Sequence, residues 1–98
     1  MVPRHLVKDR AAEEDLISIW LYTSDHWGAE QADLYLRLIE RGLHALIERP
    51  VLGRDRGDVR ADYRSLRIEQ RVVFYTFTRT ELRVRRVLHV AMDLEQHL

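Results

Sequence analysis

The sequence predicts an α+β fold: an N-terminal strand and a helical hairpin packed on a three- to four-stranded antiparallel sheet, in the order β-α-α-β-β-β. Three observations predict it. Residues 71–93 are rich in β-branched and aromatic residues and alternate at period two, residues 9–49 carry two apolar stripes at three- and four-residue spacing that break at Gly28, and residues 50–62 are rich in Arg, Asp and Gly. The 98 residues are expected to form a single domain, 1–98, with one modest core.

The first element is a short apolar segment, His5 to Lys8, expected as an edge strand. Asp9 is placed to cap a helix, with Glu13, Glu14 and Asp15 near its positive end. The stripe of that helix is Ala12, Leu16, Ile19, Trp20 and Thr23, with Trp20 as its largest apolar contact. After Gly28 a second helix is expected from about Glu30 to Arg49, ended by Pro50 and Gly53. Its stripe is Ala32, Tyr35, Ile39, Leu43 and Leu46, with Leu36 and Ile47 alongside, whereas Leu34 and Leu38 fall outside it. Two helices with so short a break form a hairpin that can lie on one face of a sheet.

The loop at 50–62 has nothing to nucleate a core; Tyr63 to Ile68 reads as a shorter strand and Glu69-Gln70 as a turn. In the next strand Val73, Tyr75 and Phe77 share one parity and Val72 and Phe74 the other, as expected of a central strand covered on both sides. The last strand alternates Leu82, Val84, Arg86, Leu88 and Val90 on one parity, with Arg83 and Arg85 leading the other before Val87 and His89.

Composition narrows the function classes. There is no cysteine, so disulfides and thiolate metal sites are excluded. Apolar runs reach only four residues and the first ten residues hold no apolar signal core, so a cytoplasmic protein without a membrane span is expected. Formal net charge is zero, yet residues 1–48 carry five Lys/Arg against nine Asp/Glu while residues 49–98 carry eleven against seven. The sheet half is therefore basic, and fifteen of its owner's sixteen cations are arginine, suited to planar contacts with carboxylate or phosphate. Arg60, Arg64, Arg67, Arg71, Arg83, Arg85 and Arg86 form either a basic face for an acidic partner or a solvated face with local pairs to Asp58, Asp62, Glu69 and Glu81.

Catalytic signatures are thin. His5, His26, His44, His89 and His97 show neither HxxxH nor HxH spacing, so no metal site is expected, and there is no phosphate loop and no G-x-S-x-G. No cofactor is expected.

The stretches RVLHVAMD (86–93), HWGAEQADLY (26–35), ERPVLG (48–53), R-x-x-YRSL (60–66) and VVFY (72–75) together resemble the ParE toxins of the RelE/ParE toxin–antitoxin superfamily, over nearly the whole chain. The resemblance implies a toxin of a type II system, held inactive by a cognate ParD-like antitoxin in a hetero-oligomer and acting on DNA gyrase, with no direct DNA binding of its own and no membrane. The chain departs from the pattern at Ala91, where many such sequences have a basic residue, and at Arg71, where they often have His. RelE-like relatives cut messenger RNA with Lys, Arg and a late Tyr. Here nothing after Arg86 is Lys, Arg or Tyr, so no catalytic residues are expected. The alternatives are a ribosome-dependent endoribonuclease of the RelE type and a non-toxic interaction module on the same fold. Trp20, Leu34, Leu38, Arg60, Arg64 and Arg86 are the expected antitoxin contacts; Arg83 and Arg85, read as exposed strand arginines, with His89, Met92 and His97 are the expected target contacts.

Overall fold

The computed structural model describes residues 2–92 and Leu98. Its elements are β1 (His5–Lys8), α1 (Arg10–Trp27), α2 (Ala29–Glu48), a single 3-10 turn (Pro50–Leu52), β2 (Arg54–Asp55), β3 (Arg64–Ile68), β4 (Arg71–Phe77) and β5 (Glu81–His89). The predicted α+β order is present, with two corrections to the sheet. It has five strands, in the order β1-β5-β4-β3-β2, because the two residues of β2 pair with Ser65 and Arg64 at its far edge. It is also mixed, since β1 runs parallel to β5, His5 opposite Glu81 through Lys8 opposite Val84. The reason is topological: β1 feeds directly into the helical hairpin, and the strand that returns beside it arrives by a long crossover, which allows parallel pairing.

Gly28 joins the two helices. Its φ of +92° is a conformation side chains rarely adopt, and its N–H donates to Ser24 O while its own carbonyl accepts from Ala32 N–H, so one residue ends α1 and starts α2. Asp9 stands at the N-cap position but makes no side-chain cap bond. The helices bury Ala12, Leu16, Ile19, Ile39, Leu43 and Leu46 against Val73, Tyr75, Leu82, Val84 and Val87 of the sheet. Trp20 is a correction: it is half-buried and outside that core, and its indole N–H donates to Asp33 Oδ1 at 2.9 Å, so it ties the two helices together on a solvent side. Tyr35, Leu36 and Ile47 flank the core, while Leu34 and Leu38 stay exposed.

β4 is the central strand the alternation predicts. Val73 and Tyr75 face the helices, and Phe74 faces the other way, into a second cluster with Tyr63 and Leu88 that Val72 and Leu98 border. β5 does not keep one parity. Tyr75 lies opposite Val84 and Phe74 opposite Arg86, so Arg85 is an extra residue, a β-bulge. Past it the pleat is inverted: Val84 and Val87 share the helix-side core, and Leu88, which the alternation places with Val84, packs on the opposite face. Among the described residues no helix is long and apolar enough to cross a membrane.

Candidate functional site

The two ends of the sheet differ in how they are finished. At one end the residues 50–64 are tied to the sheet by Tyr75. Its ring is fully buried, its hydroxyl donates to Pro50 O, and it accepts the Gly53 N–H at 3.1 Å. Burial pushes the Tyr75 hydroxyl pKa up, which keeps it a donor. Gly53 has no room for a side chain, because a Cβ would stand 2.4 Å from Tyr75 Oη and 2.6 Å from Ser65 O. Arg64 completes the fastening by donating to Gly53 O at 2.7 Å and Val51 O at 3.4 Å. The P-x-x-G, YRS and FY stretches of the sequence are thus one structural knot. Beyond it the loop folds over the outer face, with Arg56 over the Phe74 ring at 5.5 Å and Arg60 over Tyr63 at 5.9 Å.

β5 carries the arginine run, and carboxylates from the helix side hold it. Asp9 takes Arg83 Nη1 at 2.9 Å on one oxygen and Arg85 Nη1 at 3.2 Å on the other. Arg83 also bonds Glu81 at 2.8 Å, and Arg85 donates to Thr76 Oγ1 at 3.2 Å. Burial pushes the Asp9 carboxyl up, but the two guanidinium groups outweigh it and hold it below its ordinary value. This is why Asp9 does not cap its helix. Arg86 meets Asp15 of α1 with two bonds of 2.8 Å, and the same carboxylate accepts the Val87 N–H at 2.9 Å. β1 stops opposite Val84, so Val87 lies on an uncovered stretch of strand edge, and Asp15 satisfies it there. The bonds to Asp15 hold Arg86 firmly charged.

The expectation of exposed strand arginines is therefore corrected. The side chains of Arg83 and Arg85 are about one-third exposed, at 32% and 34%, and both are paired. Of the local partners expected, Glu81 takes Arg83 and Asp58 takes Arg56, whereas the long-range partners Asp9 and Asp15 do most of the pairing.

The other end of the sheet is open. Between the hairpin tip and the ends of β4 and β5 lies a cleft of about 770 Å³. Asp15, Ser18, Ile19, Tyr22 and Trp27 of α1 and Gln31 and Tyr35 of α2 form its roof; Glu69, Gln70, Arg71, Val87, His89 and Met92 form its floor and rim. Trp27 is 72% exposed, and the Tyr22 and His26 rings stack at 4.1 Å beside it. Arg71 and His89 are cross-strand neighbours. His89 Nδ1 accepts the Ala91 N–H at 3.1 Å, which fixes the turn leading out of β5. Among the described residues Arg71 Nε is buried and finds no hydrogen-bond partner.

The structure brings His89 and Met92 of the expected target contacts to this cleft, while Arg83 and Arg85 lie away from it in the arginine seam; His97 lies outside the described residues. Of the expected antitoxin contacts, Leu34 and Leu38 project from the exposed side of α2, Arg60 lies on the outer loop, and Trp20, Arg64 and Arg86 hold internal bonds. Sequence reasoning missed Tyr22, Trp27 and Tyr35 as cleft residues. Arg71 gave the one usable signal, a cation opening a strand whose other residues are apolar but for Thr76. Among the described residues no three His, Cys, Asp or Glu side chains converge as on a metal ion.

A helical hairpin on a mixed five-stranded sheet is the fold of a solved structure described as the chromosomal ParDE TA system from P. aeruginosa. The two superpose with a TM-score of 0.78 at 21% identity, over 89% of this chain and 96% of that one. The family described as ParE toxin of type II toxin-antitoxin system, parDE, matches residues 6–94, and the chain belongs to it. Its sequence is 38% identical to Toxin ParE1 of Caulobacter vibrioides over 91% of this chain and 92% of the relative. It is 35% identical to Toxin ParE1 of Mycobacterium tuberculosis over the full length of both.

Proposed function

We propose that this ParE toxin acts in the cytoplasm by binding DNA gyrase rather than by cutting RNA, and that a cognate ParD-like antitoxin neutralises it in a hetero-oligomer. The observation that supports binding over cleavage is the state of the β5 cations. RNA cleavage without a metal needs cations free to meet the scissile phosphate. Here Arg83, Arg85 and Arg86 are each held by Asp9, Glu81 or Asp15. The antitoxin reading draws on family membership and on exposed apolar pairs at i and i+4, Ile17 with Leu21 on α1 and Leu34 with Leu38 on α2, which suit the apolar face of an incoming amphipathic segment.

One observation favours the RelE-type reading: Arg71 and His89 stand side by side in the open cleft, the pairing of a cation with an imidazole that phosphodiester cleavage uses. Induction in cells separates the two. The gyrase reading expects a DNA-damage response before any loss of message, and inhibition of supercoiling by purified toxin that added antitoxin reverses. Cleavage of translated messages that disappears in His89→Ala would establish the nuclease instead.

A further inference from the structure

We propose that the open cleft seats one acidic amphipathic peptide segment, a large apolar side chain entering between the aromatic walls and a carboxylate binding Arg71. The proposal rests on the antitoxin reading and names how this cleft would recognise such a segment. A volume of about 770 Å³ holds several side chains, and the walls are Ile19, Tyr22, Tyr35, Val87 and Met92. Tyr22 at 56% and Met92 at 40% exposure keep apolar surface that the described chain leaves uncovered.

The floor supplies the charge. Among the described residues Arg71 Nε is buried without a partner and Arg71 makes no ion pair. A buried guanidinium nitrogen left unsatisfied is costly to the free protein, so a ligand that satisfies it gains what the fold gives up. Neither described carboxylate of the cleft does so. Both Asp15 oxygens are taken, one by Arg86 Nη2 and the other by Arg86 Nε and the Val87 N–H. Glu69 sits in the turn just before Arg71 at a φ of +55° and is exposed.

Charge also decides between a peptide and a nucleic acid. A phosphodiester chain needs a run of cations, whereas among the described residues the cleft lining offers one arginine without an ion pair, with Glu69 two positions before it and Asp15 already neutralised by Arg86. One carboxylate beside one apolar group fits that field.

The test uses 4-phenylbutyrate, its neutral amide and uridine 5′-monophosphate as probes, with binding followed by amide NMR shifts and by emission from the cleft residue Trp27. The acid should bind roughly tenfold or more tightly than the amide, as expected for a charge-assisted bond. Arg71→Met should erase that preference without lowering the Tm, because it removes an unsatisfied donor and keeps the aliphatic stem. Arg71→Lys should restore part of it. The antitoxin encoded beside the toxin should lose at least about tenfold in affinity for Arg71→Met. Equal binding of acid and amide, tighter binding of the nucleotide than of the acid, or an antitoxin affinity indifferent to Arg71→Met would each overturn the proposal. An acid preference that depends on Arg71, together with a neighbouring protein that does not bind the wild-type chain at all, would instead overturn the antitoxin reading.

Discussion

The closed end of the sheet and the open end spend polar groups in opposite ways. At the closed end Tyr75 Oη both donates and accepts, Arg64 serves two carbonyls, and Asp9 gives an oxygen to each of two arginines. At the open end Arg71 Nε is buried with no partner among the described residues and Trp27 is 72% exposed. Stability and the proposed recognition are thereby separated along one sheet: groups that satisfy each other hold the fold, and the group left unsatisfied among the described residues is the one the proposal offers to another molecule. Asp15 stands at the boundary, pairing Arg86 while lining the cleft.

That division can be broken at the boundary first. Asp15→Ala removes the carboxylate that two Arg86 guanidinium bonds and the Val87 N–H share, and the pair is well sheltered, at 23% and 14% exposure. A loss of about 3 kcal/mol in chemical denaturation is expected, with Asp15→Asn intermediate because it keeps one acceptor oxygen. If Asp15→Ala unfolds like wild type, the boundary is not structural.

Within the closed end, Tyr75→Phe deletes one hydroxyl that serves two backbone groups. About 1 to 2 kcal/mol should be lost, together with faster proteolysis within residues 50–62, where the loop is freed from the sheet. A stable variant with an unchanged digestion pattern would mean that the knot holds without its hydroxyl.

The Asp9 pairs predict a pH dependence. The carboxyl pKa in the folded chain lies below its unfolded value, so its contribution is fully present above the unfolded value of about 4 and is lost as pH falls through the folded value. The Tm difference between wild type and Asp9→Asn should therefore be constant near neutrality and shrink in acid below pH of about 4. A difference that persists at the lowest pH would assign the role of Asp9 to something other than its charge.

The smallest stability effect belongs to the exposed helix face. Leu38 is 39% exposed, so Leu38→Glu should change the stability of the isolated chain by no more than about 0.5 kcal/mol while weakening antitoxin capture. A sharp fall in Tm would return Leu38 to the core.

By itself the sequence determined the helices, their break and the central strand. Those signals are local: a stripe at three and four, a glycine at positive φ, and apolar residues on both parities of β4 are set by neighbours within a few positions. Only the tertiary structure decided the parallel pairing of β1 with β5, the bulge at Arg85 and the fate of each arginine. The bulge leaves Leu88 apolar in the sequence whichever face it takes, so alternation cannot reveal the inversion. An arginine looks the same in the sequence whether Asp9 stands beside it, 74 positions earlier, or nothing does. Arg83 and Arg71 differ for that reason alone: pairing is settled by which distant carboxylate the fold brings within about 3 Å, and that distance exists only after the chain has closed.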